Sequence, residues 1–549
     1  MNSSFQFLDY LIFAAYAVMI IGLGLWVSRS KKGHQKNAED YFLASKALPW
    51  WAIGASLIAA NISAEQIIGM SGSGFAGGLA IATYEWMAAA TLIIVGKYFL
   101  PVFIKKGIYT IPQFVEQRYN KTLKTILATF WIALFIFVNL TSVLFLGAKA
   151  IDTILGVGDG SLIVPAIIGL AFVAAAYSLY GGLSAVAWTD IIQVVLLVLG
   201  GVITTLIALN KVTPDGGIGA GVSHMFDAAG DRLHMILKRD NPEYSNLPGI
   251  GVLIGGMWVA NLYYWGFNQY IIQRTLAAKS LKEAQRGIAF AAFLKLIIPL
   301  FIVIPGILVY LMFTQPEGTN IIPGISEAFT KVDGSINYDK AYPWLISSFV
   351  PTGLKGLVVA ALAAAIVSSL ASMLNSTSTI FTLDIYKPYF DKDASEKKTV
   401  NIGRITAASA LLIAGILAPF LDNMGQVFQY IQEYTGVVSP GILAVFLMGL
   451  FWKKANARGA ITGIIISIPV ALILKMSIME LPFMDQMFYT TIITMVIIAG
   501  VSLTTGKEGE VDDPKGIPLT TELFKTGKKF NISAYVIMLI LVFLYTFFW

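Results

Sequence analysis

"AANISAEQIIG", residues 59–69, sets Asn61, Ser63, Glu65 and Gln66 within six residues, directly after the apolar run "WWAIGASLI". A polar side chain in hydrocarbon is costly, so one found inside a membrane-crossing helix faces the protein interior and marks a site or a path. Four together suggest a helix that stops being a helix there. Unwinding would free backbone carbonyls that a continuous helix consumes.

The rest of the chain supplies the membrane. Of 549 residues 56% are hydrophobic and only 13% charged, with a mean hydropathy of +0.73, which excludes an ordinary soluble globule. Charges collect between apolar segments long enough to cross a bilayer core of about 30 Å as helices. About fourteen such spans are predicted, the outermost at 10–28 and 532–549. The expected fold is an all-α integral membrane protein. Cys is absent, and His34, His224 and His234 all fall in loops, so disulfides, thiolate metal sites and His-based relays in the membrane are not expected.

The N-terminal run has its positive cluster after the apolar segment, which reads as a membrane helix entering from outside rather than a cleaved leader. Placing both termini outside puts about 27 of the 38 Lys and Arg in inner loops and about eight in outer ones. That is the positive-inside distribution of a cell (inner) membrane protein. The net charge of +6 therefore implies lipid rather than nucleic acid as the partner.

Two polar interruptions resemble each other. "SLIAANISAEQ" in the second span and "GMWVANLYYWGFNQ" in the seventh each carry an Ala-Asn pair, Ala60–Asn61 and Ala260–Asn261. An odd offset of spans makes the two helices cross in opposite directions. Broken helices at corresponding places in an inverted repeat point to a transporter site near the bilayer midplane.

The candidate polar groups are Asn61, Glu65, Gln66, Glu85, Asn139, Asp190, Asn261, Lys295 and Gln432, with the aromatic run Tyr263, Tyr264 and Trp265. Carboxylate, ammonium and amides in one chamber suit a cargo whose hydroxyls both donate and accept, and an aromatic face suits a pyranose ring. Asn139 or Asn261 taken alone reads more readily as an interhelical hydrogen bond, and Glu65 and Asp190 read also as structural ion-pair partners. Lys295 lies about ten residues, roughly 15 Å, into its helix, too deep to snorkel. Asn261 and Tyr264, three apart on one helical face, are expected to hydrogen-bond, holding the Tyr264 ring as an inner gate. In "ALAAAIVSSLASMLNSTST", residues 361–379, small hydroxyl side chains either allow close helix packing or, beside unwound carbonyls, form an all-oxygen cage for a hard cation. That cage is expected to be neutral, with no titrating ligand.

"NISAEQIIGMSGSG", "YGGLSAVAWTD", "VANLYYWGFNQYIIQRTLAAKS", "VAALAAAIVSSLASMLNSTSTIFTLDIY" and "FQYIQEYTG" together resemble the sodium/solute symporter family, over nearly the whole chain. The resemblance implies a LeuT-type core of five plus five inverted helices. It divides the chain into an extra helix and inner loop (1–49), a first repeat (50–208), an outer loop (209–247), a second repeat (248–452) and three flanking helices (453–549). It implies sodium-driven inward symport of a hexose, galactose or glucose, with Na⁺ as co-transported ion, no cofactor and no catalytic residue. Carried over by position, sugar contacts fall on Gln66, Glu85, Asn139, Asn261, Lys295 and Gln432, with Tyr264 stacked on the ring. Gates fall on Met70, Tyr84 and Phe428, with Tyr263 and Trp265 flanking Tyr264. The ion falls on carbonyls of Ala59, Ile62 and Ala365 and hydroxyls of Ser368 and Ser369, with Glu65 and Asp190 as possible coupling groups. Where the family's sugar carriers place a contacting serine three residues after Glu85, this chain has Ala88. The rival readings are a symporter of the same family for sialic acid or an amino acid, and a proton-coupled sugar transporter. An anionic cargo would have to tolerate Glu85.

Overall fold

The computed structural model describes residues 5–29, 37–63, 65–155, 160–214, 216–314, 322, 324–330, 334–423, 427–477, 481–506 and 515–549. Among them there is no β-strand, only two isolated bridges. One of these, Leu48 with Ala278, ties the turn before Trp50 to the turn before Leu281.

Eleven helices among the described residues are long and apolar enough to cross a bilayer, twelve if the pair Pro242–Ile254 and Gly256–Phe267, bent by 78°, is one span. The chain is thus a multi-pass membrane protein. The count falls short of fourteen because helices break. Trp50–Asn61 is only 12 residues, and Glu65–Lys106 counts as one 42-residue stretch; Val427–Phe451 is a 25-residue helix that stands outside the count because side chains in its first turns lie outside the described residues.

Asn61 ends its helix as the sequence predicts. Ile62 takes an extended backbone (φ −78, ψ 101), and helix resumes at Glu65. No backbone N–H among the described residues closes on the carbonyls of Ala59 or Ile62. The second break is displaced from its predicted place. Gly256–Phe267 runs unbroken through Ala260 and Asn261 and ends at Asn268 (φ −78, ψ 121), after which Gln269–Leu276 begins. An Asn whose side chain points into a cavity need not disturb its own helix, so Asn261 leaves the backbone intact. Both interrupted helices are nonetheless 12 residues long and end on the same extended conformation.

The helix Met70–Gly77 turns sharply at Gly78, whose φ of +83 excludes other residues in practice. A Cβ there would lie 2.2 Å from the Arg232 carbonyl oxygen. The Arg232 guanidinium donates to the carbonyls of Phe75, at 2.9 Å, and Ala76, a cation on the helix C-terminus. Gly78→Ala is expected to cost more than the roughly 1–3 kcal/mol of a strained backbone alone. It should appear as a lowered unfolding midpoint in detergent, whereas an unchanged midpoint would show that the turn relaxes freely.

Leu354–Ile380 is the axis of the bundle; 94% of its most apolar window is buried. Alanines and serines let neighbouring backbones approach it closely. Its N-terminus is capped by another helix: Asp9, from Phe7–Val27, accepts from Gly353 N–H at 2.7 Å and Gly356 N–H at 2.8 Å. A carboxylate there satisfies orphan donors and matches the helix dipole.

Candidate functional site

One cavity of about 120 Å³ lies where the two interrupted helices meet Thr83–Ile94 and Leu281–Ile297. At 10–15 Å³ per water it holds roughly ten waters, comparable to the dozen or so heavy atoms of a monosaccharide. Glu65, Gln66, Met70, Tyr84, Glu85, Asn139, Asn261, Tyr263, Tyr264, Trp265, Lys295 and Gln432, spread over more than 360 positions of sequence, all line it. Ala88 lines it too. The side chain of Phe428, read as an outer gate, lies outside the described residues.

The polar wall is a connected chain. Lys295 Nζ donates to Glu85 Oε2 at 2.5 Å and to the Asn61 amide oxygen, and both ions are only 1% exposed. Gln66 donates to the other Glu85 oxygen. The Lys295 ammonium also lies 5.1 Å from the centre of the Trp265 ring, within cation–π range. Trp86 fixes the pair from behind: its indole N–H donates to the Leu296 carbonyl at 3.1 Å, so residues adjacent to each ion lock the two helices in register. On the other side of the cavity the Tyr84 hydroxyl is hydrogen-bonded to Gln432.

Tyr264 is held, but not by Asn261. Asn61 Nδ2 donates to the Tyr264 hydroxyl at 3.0 Å, and that hydroxyl shares a 2.6 Å bond with Tyr270. Helical spacing puts Asn261 and Tyr264 on one face, whereas the bond comes from the other interrupted helix. Asn261 Nδ2 is left without a partner among the described residues, as are Glu65 Oε1, Asn139 Oδ1, Asn268 Oδ1 and Ser439 Oγ. All five residues face the same cavity. A buried polar atom without a partner costs about 1–3 kcal/mol, so this clustering describes a chamber built to hydrogen-bond something polar.

Behind the first break lies a second polar cluster. The Ser369 hydroxyl donates to the Ala60 carbonyl at 3.1 Å, which brings the Ala365–Ser369 turn against the freed carbonyls. Ser368 is bonded to a charged neighbour. Its hydroxyl donates to Asp190 Oδ1 at 2.5 Å, so a titratable carboxylate adjoins the predicted ion ligands. Asp190 also accepts from Ser56 and pairs with Arg274 at 3.4 Å, with both charged side chains fully buried. Arg274 further donates to Ser56 Oγ at 2.7 Å, to Ser372 and to the Tyr270 carbonyl.

Sequence reading missed Arg274 because it falls just past an apolar span, where a cation looks like a loop determinant. The late break at Asn268 returns the chain to the interior and buries all of Gln269–Leu276. It also missed Phe483, Met484 and Met487, which line the cavity from a helix assigned to the flank. Apolar residues facing a site and apolar residues facing lipid look alike in sequence.

The model of the sodium:solute symporter family matches residues 41–467. The sodium/glucose cotransporter of Vibrio parahaemolyticus is 63% identical over 544 residues, covering 99% of this chain and 98% of that protein. Sodium/glucose cotransporter 1 of Ovis aries is 33% identical, covering 83% of this chain and 70% of its own length. Sodium/myo-inositol cotransporter 2 of Bos taurus is 33% identical, covering 85% and 69%. Among solved structures, a Na⁺-coupled sialic acid symporter in a substrate-bound outward-open state shares the fold. Its TM-score is 0.78 at 24% identity, over 92% of this chain and 99% of that one.

Proposed function

Since this chain belongs to the sodium:solute symporter family, we propose that it carries a hexose, galactose or glucose, into the cell against its gradient, driven by Na⁺. It is a transporter and not an enzyme, as are its relatives. The observation that carries the cargo class is the single cavity into which five unpartnered buried polar atoms point. Hydroxyls that donate and accept can satisfy such a set. Gln66, Glu85, Asn139, Asn261, Lys295 and Gln432 bind the sugar, Tyr264 stacks on it with Tyr263 and Trp265 alongside, and Met70, Tyr84 and Phe428 close the outer side. Ala88 leaves one hydroxyl of the cargo to water.

In this reading Na⁺ is held by the carbonyls of Ala59, Ile62 and Ala365 and the hydroxyls of Ser368 and Ser369, with Asp190 as the adjoining charge. Ten of fourteen spans form five-plus-five inverted repeats at 50–208 and 248–452, with both termini outside an inner membrane. The matched cap geometry of the two 12-residue helices supports that repeat. Glu65 serves the chamber.

Ion and sugar are linked by bonds. From Glu85 the chain passes through Lys295, Asn61, Tyr264 and Tyr270 to the Tyr270 carbonyl, Arg274, Asp190 and Ser368. Sodium shifts the ensemble because it binds one arrangement of the broken helix better than the other. Tyr264→Phe keeps the ring but strips two hydrogen bonds. It is expected to retain sugar binding while lowering coupled uptake at least fivefold; equal loss of both would assign the hydroxyl to cargo contact instead.

One Na⁺ crossing about 100 mV contributes roughly 2.3 kcal/mol, and a tenfold gradient adds about 1.4. Together these support several-hundredfold accumulation. Ser369→Ala removes one oxygen from the ion site, and the sodium concentration for half-maximal uptake should rise about tenfold with the fold intact. The reading is tested by equilibrium binding of galactose and glucose to purified protein in sodium and in choline. Tighter sugar binding in sodium is expected, and identical binding in both salts would contradict it.

A further inference from the structure

A cavity of about 420 Å³ lies on the outer face of the bundle, between Leu281–Ile297 and Lys528–Phe547. Its lining is apolar, with Phe530 and Ile537 buried and Phe293, Ile532 and Val536 exposed along it; Trp50 and the cations Arg286 and Lys529 line it too. Phe293 is 45% exposed, Ile532 52% and Val536 45%, so the groove opens toward the hydrocarbon. Trp50, Arg286 and Lys529 each sit within the first turns of their helices. All three occupy the bundle end that the basic inner loops mark as cytoplasmic, at headgroup depth.

The two cations differ from scattered snorkelling side chains. Arg286 is fixed by a 3.2 Å bond to Glu283, whose other oxygen accepts from the Trp50 backbone N–H at 2.9 Å. Lys529 makes no ion pair among the described residues. Trp50 packs edge-on against Phe290, with ring centres 5.6 Å apart. The groove is therefore shaped by fixed side chains, with one cation half-neutralised and the other free. Basic pockets between membrane helices on the cytoplasmic side suit anionic headgroups.

We infer that this groove is a specific site for an anionic phospholipid of the inner leaflet, its phosphate between Arg286 and Lys529 and one acyl chain along Phe293, Ile532 and Val536. The lipid would wedge against the helix that carries Lys295, and so tune transport without touching cargo. The inference rests on the inward placement of this end of the bundle and not on the identity of the sugar.

The test reads lipid binding directly. Full-length protein purified in detergent is exposed to phosphatidylglycerol or phosphatidylcholine of the same acyl chains and examined by native mass spectrometry. At least a fivefold preference for phosphatidylglycerol is expected, lost in R286Q/K529Q. Val536→Trp, which fills the groove and leaves both charges, should lose the bound lipid as well. Equal retention of the two lipids, or a preference unchanged in both variants, would overturn the site. Neither result bears on sodium-driven uptake, so this inference and the proposed function fail separately.

Discussion

Glu85→Ala is expected to abolish sugar accumulation and to destabilise the protein markedly. Lys295 is 1% exposed and its carboxylate partner is Glu85 at 2.5 Å. Removing one member of a buried pair strands a charge in a low-dielectric interior, which costs about 3–5 kcal/mol. The loss exceeds that of a neutral contact because Gln66 donates to the same carboxylate and would be orphaned with it. Uptake and unfolding in detergent measure the two effects. Glu85→Gln combined with Lys295→Met separates them, since removing both charges should restore most of the stability and none of the transport. Normal uptake by Glu85→Ala would remove Glu85 from the sugar site.

Arg274→Met should be comparably severe, at a place where no sugar binds. The guanidinium is fully buried and serves Asp190, Ser56, Ser372 and the Tyr270 carbonyl together. Methionine approximates its apolar stem and supplies none of these bonds, leaving Asp190 unpaired at about 3–5 kcal/mol. Adding Asp190→Asn should recover part of the stability. Because Ser368 donates to Asp190, sodium affinity should fall in the single variant even where protein is recovered folded. Unchanged sodium dependence in folded Arg274→Met would detach this cluster from the ion.

Much of the site is legible in sequence because hydrocarbon makes polarity conspicuous. Asn61 and Gln66 stand out in an apolar run, and Lys295 lies too deep in its helix to be a surface charge. The break after Asn61 follows from the same signal. What sequence does not carry is which distant group meets which. The bond to Tyr264 comes from Asn61, 203 positions away, although Asn261 has the right local spacing. The second break falls at Asn268, at the end of an apolar span, where it reads as a membrane boundary. Arg274 is hidden by the same misreading, since burial of a cation depends on where the broken chain turns back. Phe483, Met484 and Met487 carry no signal, because a site wall and a lipid face are built from the same residues.

The most direct measurement is accumulation of labelled galactose and glucose in proteoliposomes of purified protein under an inward sodium gradient, an inward proton gradient, or neither. Sodium-coupled symport predicts concentrative uptake of at least one sugar with sodium and a negative interior potential, only equilibration without a gradient, and no comparable drive from protons alone. Full accumulation driven by protons in the absence of sodium, or no sugar movement under any gradient, would contradict it.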